Sequence, residues 1–169
     1  MAKESNAKTI TVAVVLSVVC SIALAAAVTL LKPIQETNRA LDKQRKILAA
    51  AGVLAEGEGS PEQVRGEFAK LERYLVDLDS GDYRRVDLDD RFDQRRATKE
   101  PAASIALSAD QDVAGLKRRA LQADIYVLRG ADGKAERIVL PVSGYGLWST
   151  LYGYLVLGSD GSTVAGITF

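Results

Sequence analysis

The chain has 169 residues, with 22 Lys and Arg against 22 Asp and Glu, no histidine and a single cysteine. Balanced charge leaves no long-range basic field to draw in nucleic acid. The absence of histidine excludes imidazole catalysis and His-ligated metals, and Cys20 alone forms no disulfide within the chain.

Thr9 to Leu31 contains no charged residue. As an α-helix rising about 1.5 Å per residue this run covers about 34 Å, enough to cross a hydrocarbon core of about 30 Å. Lys3, Lys8 and the small triplet Ala23-Leu24-Ala25 imitate a signal peptide. The apolar run is longer than a signal core, however, and continues into a helical pattern, so a retained single span is predicted. After the span stand Lys32, Arg39, Lys43, Arg45 and Lys46. Their count favours a cytoplasmic second flank, although long C-terminal domains translocate despite such charges.

Pro33 is a place to kink or restart the helix. Ile34, Leu41 and Leu48 recur every seven residues beside Ala40, Ile47 and Ala51, a narrow apolar seam on a polar helix. Two readings stand: a helical stalk with a solvated face, or a contact strip for partner subunits. Gly52 and the stretch Glu56-Gly57-Glu58-Gly59 end the pattern. Ser60-Pro61-Glu62-Gln63 opens a second helix with an N-cap serine and a first-turn proline. Val64, Phe68, Leu71 and Leu75 line one face of it, predicting a helix to about Val76.

From Asp77 to Pro101 acidic and basic residues alternate. Asp77-Leu78-Asp79-Ser80-Gly81-Asp82 is not a calcium loop, because glycine, aspartate and leucine fall where an acidic or amide ligand, glycine and glutamate are needed. The expectation here is a solvated, partly mobile loop. Beyond Leu107 the pattern becomes strands. Ile125 to Leu128 and Arg137 to Pro141 flank the turn Ala131-Asp132-Gly133-Lys134. Tyr152 to Leu157 and Thr163 to Phe169 flank Ser159-Asp160-Gly161-Ser162. Two hairpins follow, and the fold class is α+β with an antiparallel sheet.

One stretch has the composition of a site. Val142 to Tyr154 reads VSGYGLWSTLYGY and holds the sole tryptophan. Gly144 and Gly146 allow close backbone approach. Trp148 and the tyrosines can stack on a flat ring, and Ser149 and Thr150 can bond phosphate or ring edges. There is no GxGxxG fingerprint. The stretch reads as either a turn with an aromatic core plug or a ligand site.

An apolar span leading into KPIQETNRALDKQRKIL, then DIYVL, then GYGLWSTLYGYLVL, resembles the C subunit of the bacterial sodium-translocating NADH:quinone oxidoreductase. The resemblance runs from about residue 8 to Phe169. It implies residues 1–8 in the cytoplasm, a transmembrane helix over 9–31, a helical stalk and linker over 32–59, and the incomplete N-terminal part of an FMN-binding α+β domain over 60–169. It places the chain in the bacterial inner membrane, single-pass, with its soluble domain on the periplasmic side. It also implies FMN, joined through a phosphodiester to a threonine of a Ser-Gly-Ala-Thr motif beyond residue 169. Electrons would pass from an iron–sulfur centre to a flavin in a neighbouring membrane subunit, as NADH reduces ubiquinone and sodium is exported. Gly144, Tyr145, Gly146, Leu147, Trp148, Ser149 and Thr150 would form one wall of the flavin site. No residue of the chain would act as a catalytic acid, base or metal ligand.

The expected partners are other membrane and peripheral subunits of the reductase and membrane lipid, with no nucleic acid. The small residues of the span, among them Ser17, Ser21, Ala23 and Ala27, would pack against neighbouring spans. The sequence departs from the family pattern near its end. Asp160-Gly161-Ser162-Thr163-Val164-Ala165-Gly166 begins like the flavin-attachment signature, but Gly166 occupies the acceptor position and has no hydroxyl. Thr168 follows Gly166-Ile167 rather than Gly-Ala. The expectation is that the chain is a fragment. The alternatives are a non-redox membrane-anchored module that binds partner subunits, and the G subunit of an Rnf-type electron-transport complex.

Overall fold

In the computed structural model, residues 6–169 are described. Most of the 1–8 segment, including Lys3, therefore lies outside the described residues. The chain divides into two compact units, one ending at Ala40 and the other running from Leu41 to Phe169.

The first unit is the greater part of helix α1, Asn6–Ala50, which is long and apolar enough to cross a membrane. Every residue from Thr9 to Leu31 is exposed. The hydroxyls of Thr11, Ser17 and Thr29 donate to the carbonyls of Ala7, Ala13 and Ala25 at 2.8 Å. A side chain bonded to its own helix has no polar group left unsatisfied in hydrocarbon. Pro33 lies inside the helix and does not end it.

The second unit begins with the last turns of α1. The seven-residue seam divides here: Ile34 is exposed, Leu41 is half-buried, and Ile47 and Leu48 are fully buried. The helix stops at Gly52, whose φ of 69° suits glycine. Gly52 N–H donates to the Ala49 carbonyl and Val53 N–H to Leu48, the paired bonds of a Schellman ending. The Arg137 guanidinium adds a bond of 2.7 Å to the Ala51 carbonyl.

Helix α2, Pro61–Phe68, is capped by Ser60, whose Oγ accepts from the Gln63 amide. It ends eight residues before the expected Val76. Leu71 and Leu75 instead belong to a turn and to strand β1, Glu72–Asp77. A four-residue spacing satisfies a strand as well as a helix, since both positions then share one sheet face. Arg73 lies between them on that same buried face, and a buried arginine hides the alternation that marks a strand.

The segment expected to be a solvated loop carries strand β2, Tyr83–Val86, and the short helix α3, Gln94–Ala97, capped by Asp93. A short two-stranded ladder follows, β3 (Ser104–Ala106) with β4 (Arg118–Ala120). Strand structure thus starts just ahead of Leu107.

Strands β5 (Gln122–Arg129), β6 (Ala135–Tyr145), β7 (Thr150–Gly158) and β8 (Val164–Thr168) form the two expected hairpins. With β1 and β2 they make one antiparallel sheet in the order β2-β1-β5-β6-β7-β8. The fold is α+β, with one long apolar helix ahead of it.

A single row of cross-strand partners explains the core. Arg73, Tyr126, Val139, Val156 and Gly166 lie side by side across five strands. Tyr126, Val139 and Val156 are buried against Ile47, Leu48, Val64 and Phe68 from the two helices. Gly166 completes the row because the helix end presses on it: a Cβ there would stand 2.7 Å from the Ala50 carbonyl oxygen. The reverse face carries Ile125, Val127, Ile138, Leu140, Leu155 and Leu157, all half-buried, with Ile167 exposed beside them. One side of the sheet is thus packed and the other is aliphatic and open.

Gly166→Ala is expected to destabilise the second unit by about 1–3 kcal/mol, the range for a forced overpacking. Gly66→Ala, where no atom lies within 4 Å of the added methyl, is expected to stabilise α2 by about 0.5–1 kcal/mol. Urea unfolding of the detergent-solubilised chain checks both signs.

Candidate functional site

Gly144 and Tyr145 end β6, Gly146 to Ser149 turn the chain, and Thr150 opens β7. The turn is closed by the Gly146 amide, which donates to the Ser149 carbonyl at 2.9 Å, and by the pairing of Tyr145 with Thr150. Gly146 is crowded: a Cβ would meet Leu151 and the Ser149 carbonyl at 3.1 Å. The seven residues expected to act together are therefore contiguous at one hairpin tip.

The tip is not a core plug. Trp148 is 91% exposed, Leu147 88% and Tyr145 66%. The aromatic that does fill the core is Tyr154, further along β7. Its burial pushes the phenol up to about 12, against the opposing charges of Lys43 and Arg95. Tyr126 is shifted in the same direction, with burial again the main cause.

The tip is held from one side. The Tyr145 amide donates to the Ala114 carbonyl at 2.7 Å, and Gly115, with a φ of 67°, lets the 107–117 loop lie against the Tyr145 Cβ. Asp112 braces that loop by accepting from the Leu116 and Lys117 amides at 2.6 and 2.8 Å. Val113, on the same loop, is exposed, as are Tyr145, Leu147, Trp148 and Leu151 of the hairpin. The result is an apolar, aromatic, water-facing surface on a fixed hairpin. It fits one wall against a flat ring, since indole and leucine faces are free to stack. It does not by itself enclose a ligand.

Sequence reasoning missed a second feature. On the packed side of the sheet, short of the helix-covered core, an open cleft of about 380 Å³ lies between α3, β4 and the β6–β7 ribbon. Arg95 of α3 lies 4.0 Å over the Tyr152 ring, within range of a cation–π contact. The cleft joins residues 95–99, 116–120 and 143–152, so only the fold brings it together.

An apolar helix ahead of an α+β domain built on one antiparallel sheet defines a class of helix-tethered domain. The chain's resemblance to the C subunit of the sodium-translocating NADH-quinone reductase makes that class specific. It is 42% identical over 167 residues to the C subunit of the Na(+)-translocating NADH-quinone reductase of Yersinia pestis, covering 98% of this chain and 62% of that protein. It is 45% identical over 168 residues to the protein of the same name from Pseudomonas aeruginosa, covering 99% and 64%. The crystal structure of Shewanella oneidensis NqrC matches with a TM-score of 0.66 at 34% identity, over 78% of this chain and 59% of that one. No protein-family model matches the chain. The chain spans less than two thirds of the length of these relatives.

Because Trp148 makes its surface with water rather than with the core, Trp148→Ala is expected to change unfolding stability by no more than about 0.5 kcal/mol. A loss of several kcal/mol, as for an aromatic removed from a core, would restore the core-plug reading.

Proposed function

We propose that the chain is the N-terminal part of the C subunit of a sodium-translocating NADH-quinone reductase, and serves as its membrane-held, FMN-carrying electron-transfer component. The observation that carries this reading is identity of 42–45% across 98–99% of the chain to proteins of that name. The long apolar helix supports single-pass attachment to the inner membrane. In this reading residues 1–8 face the cytoplasm, 9–31 span the bilayer, 32–59 link the span to the domain, and 60–169 begin the flavin domain on the periplasmic side.

The chain's own residues have a limited chemical task. Leu147, Trp148 and Tyr145 present apolar faces that would lie against the isoalloxazine and exclude water from one side of it. Gly144 and Gly146 keep the backbone slim beside them, while the Ser149 and Thr150 hydroxyls stand ready to hydrogen-bond polar edges. FMN, when bound, supplies the electron-transfer chemistry, and the protein positions it. No group here is required to move a proton. The reading assigns delivery of electrons to the iron–sulfur centre of another subunit and their receipt to a membrane flavin. Sodium passage falls to other subunits, since the span from Thr9 to Leu31 offers no carboxylate.

The test is purification of the tagged, natural-length protein from its own membranes. Co-purifying sodium-stimulated NADH:quinone reductase activity and a fluorescent flavin band at the position of the denatured polypeptide are the expected results. A dark band would contradict the flavin role, and absence of the reductase from the preparation would contradict the assignment to the complex.

A further inference from the structure

The cleft between α3, β4 and the β6–β7 ribbon is charged in one sense. Arg95, Lys99, Lys117, Arg118 and Arg119 line it, and none of its lining residues is acidic. Such a cluster is usually neutralised by neighbouring carboxylates, so the pairing of each cation decides what the cleft can do. Arg119 is paired, with Asp79. Among the described residues the other four make no ion pair. The nearby acids are engaged elsewhere. Asp112 accepts from the Leu116 and Lys117 backbone amides, Asp93 caps α3, and Glu100 pairs with Arg96.

Two of the unpaired cations are fixed in orientation. Arg118 is half-buried and donates from Nε to the Ser104 hydroxyl at 3.0 Å and from Nη2 to the Ser104 carbonyl at 2.8 Å. Both acceptors are neutral, so the guanidinium charge is held in place without being cancelled. Arg95 is stacked on Tyr152, which holds its guanidinium at the cleft wall. A third, Lys117, is the sole described non-glycine residue with positive φ, at 65°, held there by the Asp112 bonds. Strained backbone of this kind persists only where surrounding contacts enforce it. Ser143 and Thr150 add hydroxyls to the wall, and Leu78, Leu116 and Ala120 add apolar floor.

We infer that this cleft binds a compact phosphate-bearing anion. Fixed, uncancelled guanidiniums are suited to the tetrahedral, multiply charged phosphate, which accepts paired N–H bonds from their planar forks. The lysines supply point charge, and the volume falls within the range of small-ligand sites. The cleft is separate from the hairpin tip: Leu147 and Trp148 do not line it. The shared chemistry is the phosphate group, carried either by a soluble molecule or by the headgroup of an anionic lipid.

The test titrates inorganic pyrophosphate into the full chain in phosphatidylcholine nanodiscs, followed by isothermal calorimetry. One saturable site is expected, with a dissociation constant of about 1 mM or tighter. Lys99→Gln and Arg118→Gln should each weaken it by about tenfold or more, the loss for one charge-assisted contact. Lys134→Gln, at the exposed β5–β6 turn, should leave it unchanged. Lys99 makes no side-chain hydrogen bond among the described residues, so its variant keeps the test valid if Arg118→Gln fails to fold. In phosphatidylglycerol nanodiscs, weakened pyrophosphate binding identifies the lipid headgroup as the source, and equal binding identifies a soluble phosphate. No heat of binding at about 10 mM pyrophosphate, or equal affinity in Lys99→Gln and Lys134→Gln, would overturn the inference.

Discussion

The second unit depends on one buried ion pair. Arg73 is 2% exposed and Asp124 4%. They sit on adjacent strands β1 and β5, with Arg73 Nε and Nη2 both 2.8 Å from Asp124 Oδ1. The remaining arginine donors reach the carbonyls of Asp90 and Phe92 at 2.7 and 2.8 Å, and that of Leu88 at 3.4 Å. From the other side, the Asp124 amide donates to the Gln94 side chain, and Lys43 of α1 lies 3.7 Å from its carboxylate. One arginine thereby fastens the segment before α3 to the sheet, while its partner fastens α3 and the end of α1. A charge so deeply buried is tolerated only when its partners are complete, because desolvation of either ion alone is costly.

That constraint sets the positions of both functional surfaces. α3 rests against the sheet because Gln94 is tied to Asp124, and this places Arg95 over Tyr152. The same ribbon, continued past Tyr152, becomes the hairpin whose tip carries Leu147 and Trp148. The sheet is packed on the side of α1 and α2 and bare and aliphatic on the other. Helix ends, ion pair and glycine contacts all gather on the packed side. The exposed hydrophobes gather at the tip and on the open face, where apolar surface of this kind commonly marks a place of contact.

The sequence made some of this readable and hid the rest for physical reasons. Both Asp-Gly hairpins were legible because turn chemistry and strand alternation are local, and the Ser60-Pro61 start of α2 was legible for the same reason. Strand β1 was not, because Arg73 replaces an apolar residue at the position that would have shown the alternation. The charged stretch from Asp77 to Pro101 reads as solvated, yet three of its carbonyls are acceptors for a buried guanidinium. Charge alone does not reveal that. The GYGLWST stretch stood out by composition, and the turn was foreseen, but its outward orientation was not. Trp148 was as good a core residue as a surface one until its neighbours were known. The basic cleft joins three distant segments, and no single window of sequence contains it.

A double-mutant cycle at Arg73 and Asp124 tests the central claim most directly. Arg73→Met and Asp124→Leu, alone and together, would be compared by urea unfolding of the full chain in detergent. Each single change should destabilise by about 3–5 kcal/mol, because it strands the other buried charge. The double change should cost far less than the sum of the two, giving a coupling of about 2 kcal/mol or more. Additive losses, with no coupling, would contradict the account that this pair holds the domain together.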